Sequence, residues 1–267
     1  MNRWEYALLA CLFVLGLTLG YFLPRNVSEE PDTVYQVSTI DALLLGSYEG
    51  VVSFAEVRRH GDFGIATFDS LDGEMVAVDG QFFQVKADGS VIPVSDTMTT
   101  PFATVTYFSP DLSFFLPHAS NFTEFSSLTT SRLPSRNLFY AVRIRGELPY
   151  VKARSIPRQE KPYIRLVDAA ATQSVFEFEN TTGTVVGFST PEMAEGLNVP
   201  GYHLHYLSAD RTEGGHIIDF RLENATVEMD TIPRFIMDLP PQGSFLGVDL
   251  SENLSSELTI VEQGSPS

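Results

Sequence analysis

Residues 183–220 read GTVVGFSTPEMAEGLNVPGYHLHYLSADRTEGGHIIDF, and this stretch decides the kind of fold to expect. Thr184 to Phe188 is a β-branched and aromatic run of strand character. Thr190-Pro191-Glu192 supplies an N-cap, a first-turn proline and an early acid, opening a short helix that Gly196 can stop. Gly201 to Leu207 and His216 to Leu222 then read as paired strands around the polar loop SADRTEGG. On a strand, residues i and i+2 share a face, so His203 and His205 converge on one point. His216 opens the returning strand and can bring a third imidazole. Three imidazoles with an open position is how a catalytic metal is held, because water or substrate must still reach the ion. A lone His-x-His more often serves structure, but three of the five histidines fall within fourteen residues here, which favours a metal.

Outward from this stretch the chain continues mainly as strands. Toward the N-terminus, Phe63 to Phe68, Glu74 to Val78 and Gln81 to Val85 form a meander, with Asp79-Gly80 as a two-residue hairpin turn. Ser53-Phe54-Ala55-Glu56 has capping-box spacing ahead of a short helix that Gly61 can end. Asn137 to Arg145 and Val175 to Glu179 read as further strands, as does the closing stretch LTIVE (258–262). Strands outnumber helices and the helices are short, so the expected class is mixed α/β with a dominant antiparallel component. No GxGxxG or GxxxxGK[ST] string opens a nucleotide site, and neither GxSxG nor HExxH is present.

Composition narrows the function. Lys+Arg number 17 against 34 Asp+Glu, a net charge of −17, so phosphate backbones are repelled, which argues against nucleic-acid binding. The single cysteine, Cys11, lies in the N-terminal apolar run, so a metal in the folded part must be held by His and carboxylates. Glu74 begins a strand whose same-face neighbours are Val76 and Val78, which sets a carboxylate at the edge of an apolar face; the plain alternative is a solvated strand end. Glu262 carries a weaker signal of the same kind. Arg154 and Arg158 share the run RSIPRQEKPY and compete for any anion-holding role.

Ala7 to Leu23 is uncharged and is followed by the polar linker PRNVSEEPDT (24–33), which leads to the expectation of a signal or membrane anchor, the anchor slightly favoured. Five of eight asparagines, Asn26, Asn121, Asn180, Asn224 and Asn253, stand in Asn-x-Ser/Thr, a pattern expected of a glycosylated domain outside the cytosol.

Taken together, HGDFGIATFDSLDGEMVAVDGQFFQV (60–85), TPFATVTYF (100–108), RSIPRQEKPY (154–163), the 183–220 stretch and Glu262 make the chain resemble the α-acetolactate decarboxylase family over about residues 34–262. The resemblance implies a zinc enzyme that converts 2-acetolactate to (R)-acetoin and CO2. It implies a two-domain α/β fold with a mixed N-terminal sheet (31–150) and an antiparallel C-terminal β domain (151–267) carrying the zinc, after a segment 1–30. It also implies a homodimer joined through the N-terminal sheet. By position it makes His203, His205 and His216 the zinc ligands and Glu74 and Glu262 active-site glutamates near or on the metal. Arg154 becomes the active-site arginine and Thr67 a pocket residue. Two other readings stay open on the residues alone: a non-catalytic, membrane-tethered zinc-binding β module, and a zinc hydrolase.

Overall fold

The computed structural model describes residues 32–263. Its strands are β1 (Thr33–Val37), β2 (Val52–Ser53), β3 (Phe63–Thr67), β4 (Glu74–Val78), β5 (Gln81–Val85), β6 (Val91–Pro93) and β7 (Thr99–Thr100), then β8 (Ala103–Thr106) and β9 (Leu112–Ala119). Beyond them come β10 (Phe139–Ser155), β11 (Ser174–Thr190), β12 (Gly201–Ser208), β13 (Gly214–Ile232) and β14 (Arg234–Asp238). The helices are α1 (Ile40–Leu44), α2 (Phe54–Val57), α3 (Phe122–Thr130), α4 (Leu166–Ala170) and α5 (Ser255–Gln263). The fold is β-dominated and mixed, as the sequence implies.

One sheet has the order β14-β1-β8-β3-β4-β5-β6. All its pairings are antiparallel except β1 with β14, which are parallel. The second has the order β10-β11-β12-β13-β9, and β10 also pairs with β13, so the four long strands close on themselves. Closure satisfies backbone groups that an open edge would leave to solvent. Phe63, Ile65, Val76 and Val85 of the first sheet pack against Ala141, Val186, Phe188 and Leu207 of the second, giving a dry layer between them. Ile40 and Leu44 of α1, Leu166 and Ala169 of α4, and Leu258 and Val261 of α5 form a separate apolar cap at one end of that layer.

Local chemistry explains most elements. Asp79 and Gly80 both take positive φ (51° and 75°), the twist a two-residue hairpin needs. Ser53 caps α2 by accepting from the Glu56 N–H at 3.3 Å. Three expectations change. Val175 to Glu179 and Thr184 to Phe188 are parts of the single strand β11, because Asn180 adopts φ 51° and turns the chain without breaking the ladder to β10. Thr190 ends β11 instead of capping a helix, and only a 3₁₀ turn, Glu192–Ala194, follows Pro191. LTIVE lies in helix α5, because Leu254, Leu258 and Val261 recur at helical spacing and bury together, while Ile260 stays exposed. The division expected at residue 150 falls inside β10.

The apolar run 7–23 and Asn26 lie outside the described residues. Among the described residues no helix is long and apolar enough to cross a membrane. The other four sequon asparagines have backbone roles. Asn121 caps α3 through the Glu124 N–H at 2.8 Å, and Asn253 accepts from the Ser255 N–H at 3.1 Å ahead of α5. Asn180 and Asn224 occupy left-handed positions with φ 51° and 48°. Caps and left-handed turns favour asparagine on conformational grounds.

Candidate active site and metal centre

β13 places His216 directly opposite His205 of β12 on one side and opposite Arg154 of β10 on the other. His203, two residues from His205, shares its face. The three imidazole centroids lie 4.9–5.4 Å apart, and one ligand nitrogen from each lies within 4.8 Å of the others. This face of the closed strands looks onto β3 and β4 of the other sheet. There Thr67 and Glu74 sit opposite one another in register. Glu262, on α5, closes the site from the cap.

The sequence-named residues therefore meet. His205 Nε2 is 3.8 Å from Glu74 Oε2, while His203 Nε2 and His216 Nε2 are 3.9 and 3.7 Å from Glu262 Oε2. Arg154, only 4% exposed, lines the same cavity of about 40 Å³, as does Thr67, whose hydroxyl donates to the Gly73 carbonyl at 2.8 Å. Leu71, Phe102 and Ile156 supply apolar wall. The space suits a molecule the size of a few waters. Arg158 is excluded: it is exposed and pairs with Asp69 at 2.9 Å.

Burial sets the charge states. All three imidazoles lose basicity chiefly through desolvation, with the Arg154 charge adding to it; His203 falls to about 3, and His205 and His216 lie well below the ordinary value. They are neutral bases, the form that binds a metal. Desolvation raises Glu74 and Glu262 to about 7 each, against the pull of Arg154. Carboxyl groups that titrate near neutrality can both give and take a proton.

Two contacts were not foreseen from the sequence. The Met75 carbonyl accepts from His205 Nδ1 at 2.9 Å, which puts that ring's proton on Nδ1 and leaves Nε2 as a lone pair aimed at the centre. Arg154 Nη1 donates to Gln173 Oε1 at 3.0 Å. Neither has a sequence signal, since a backbone carbonyl is present at every residue and Gln173 sits in an unremarked turn. His205 Nε2 and His216 Nε2 are buried without hydrogen-bond partners. Orphaned nitrogens of neutral histidines, converging beside two carboxylates, fit a divalent metal ion. A purely structural ion would be enclosed by a fourth protein ligand and would have no use for a buried arginine. The fold and site define an enzyme that works on a small anion.

Comparison with known proteins agrees. The family model for alpha-acetolactate decarboxylase matches residues 34–252. The alpha-acetolactate decarboxylase of Methanosarcina mazei is 53% identical over 241 residues, 90% of this chain and 84% of that protein. That of Bacillus subtilis is 40% identical over 245 residues, 91% of this chain and 96% of that protein. The crystal structure of the Bacillus subtilis strain 168 enzyme superposes with a TM-score of 0.84 at 40% identity, covering 87% of this chain and all of that one. The chain belongs to the alpha-acetolactate decarboxylase family and is a carboxy-lyase of that activity.

The expectation of a secreted or membrane-anchored glycoprotein is corrected. The described residues hold no membrane-crossing helix, and four of the sequon asparagines are explained by turns and caps. The match to these decarboxylases takes in 90–91% of the chain.

Proposed function

We propose that the chain converts 2-acetolactate to (R)-acetoin and CO2 with a zinc ion held by His203, His205 and His216. The observation that carries this reading is one cavity combining three neutral imidazoles, two carboxyl groups 3.7–3.9 Å from their nitrogens, and a buried arginine. When bound, the ion supplies Lewis acidity toward the ketone and hydroxyl oxygens of the substrate. Every other part of the work falls to the chain. Arg154 offers a planar fork to the substrate carboxylate and orients it for departure. Its hold must be moderate, because stabilising the ground-state carboxylate opposes CO2 loss. The walls at Leu71, Phe102 and Ile156 exclude water and accept methyl groups. After CO2 leaves, carbon must receive a proton on one face, and Glu74 and Glu262, titrating near neutrality, are the groups able to deliver it. Thr67, held by the Gly73 carbonyl, shapes the pocket beside Glu74.

Homodimer formation belongs to the same proposal. The outer strands β14 and β6 of the seven-stranded sheet expose Ile236 and Ile92, and light scattering is expected to give twice the chain mass. The central test is acetoin formation from racemic acetolactate by purified protein, before and after chelation. Activity should vanish with the metal, return with zinc and yield a single enantiomer. Full activity in metal-free protein would overturn the reading.

A further inference from the structure

Arg154 is a buried guanidinium that makes no contact ion pair among the described residues; Glu74 and Glu262 act on its charge only across the cavity. The hydrogen bond it makes runs from Nη1 to the side-chain carbonyl of Gln173 at 3.0 Å, and its buried Nε has no partner. Gln173 is itself set firmly. Its N–H donates to the Ala170 carbonyl at 3.2 Å at the end of α4, and the next residue, Ser174, enters β11 paired with Ser155, the neighbour of Arg154. Gln173 does not line the cavity. It holds the arginine from behind.

We propose that Gln173 is the positioning residue for Arg154, and that its neutrality is the functional point. An amide oxygen orients the guanidinium yet adds no charge of its own, so the free edge keeps its attraction for a substrate carboxylate. A glutamate at the same place would hold the plane equally well but form an internal ion pair, against which substrate would have to compete. This inference rests on the reading of Arg154 as the carboxylate holder.

The test uses metal-loaded, full-length protein and calorimetric binding of 2-hydroxy-2-methylpropanoate, a 2-hydroxy carboxylate with no ketone and hence no decarboxylation. Gln173→Glu is expected to weaken this probe at least about tenfold and to raise KM more than it lowers kcat, with metal content and Tm unchanged. Gln173→Met, which leaves the guanidinium charged but unanchored, should also raise KM, and it decides the matter if the glutamate variant does not fold. Arg154→Met separates the two claims. If it loses the probe while both Gln173 variants bind as wild type does, the positioning role is overturned and the arginine reading stands. If Arg154→Met itself binds the probe normally, the arginine reading fails and the Gln173 role fails with it.

Discussion

Each side chain at the centre is asked for a different measurement. His203→Ala, His205→Ala and His216→Ala should each lower metal content together with rate, and full metal occupancy in all three would remove the ligand assignment. Glu74→Gln and Glu262→Gln should keep the metal and lose roughly 10²–10⁴-fold in turnover, the loss typical of a missing acid–base group. Near-normal rate and unchanged enantiomeric excess in both would remove the carboxyl groups from the proton step. Arg154→Lys should be poorly active, since an ammonium cannot replace the fork. A residue far from the chemistry sets a pH response of stability. Asp230 is fully buried, one of its oxygens lacks a partner, and desolvation, with Asp32, Asp111 and Asp62 nearby, raises it to about 7. A folded-state value above the unfolded one means the native state holds the proton longer. This group therefore weakens folding as pH rises from about 4 toward 7, and the penalty is constant above that. Asp230→Asn should raise Tm at pH 8 more than at pH 5, and an equal shift at both would refute the assignment. The three histidines and Glu74 were legible because period-2 spacing on a strand assigns faces directly. Gln173 and the Met75 carbonyl were not, because their roles depend on which strands lie beside β10 and β12.

Close approach of elements is what aligns the centre. Gly187 of β11 lies opposite Leu204 of β12, and a Cβ there would collide with the His203 carbonyl oxygen. Gly187→Ala should thus displace the histidine strand and reduce metal affinity as well as Tm; unchanged affinity would show that β12 does not depend on this contact. Helix α5 brings Glu262 through a different logic. It is seated by Leu254, Leu258 and Val261 and bracketed by Arg165, which contacts Glu252 and Glu257 at 2.6 Å each. The ion pairs are partly exposed, so the apolar seat dominates. Leu258→Ala, with a cost on the order of 2–5 kcal/mol for a buried leucine, should loosen this one helix. Turnover should fall and hydrogen exchange in α5 rise while the metal stays bound. Reading LTIVE as a strand failed because five residues cannot separate the two periods. The distinction lay in Leu254, outside the window, and in the partner surface on α1 and α4.

Every candidate side chain comes from residues 67–262, so a chain beginning near Pro31 should fold and form acetoin at the full rate; a folded but inactive product would show that the first thirty residues serve the site. The sequence alone determined the β-dominated class, because β-branched and aromatic runs between turn residues permit little else. It also limited the donors open to a metal to histidine and carboxylate, because the sole cysteine lies outside the matched region and three histidines share two adjoining strands. Tertiary structure decided what depends on neighbours distant in the chain: that β10 returns to pair with β13 and sets Arg154 beside His216, and that β4 and α5 bring Glu74 and Glu262 to 3.7–3.9 Å from imidazole nitrogens. The raised carboxyl groups and silenced histidines likewise come from burial between two sheets and a helical cap. A pattern in one dimension shows which face a side chain takes, but not what lies across from it.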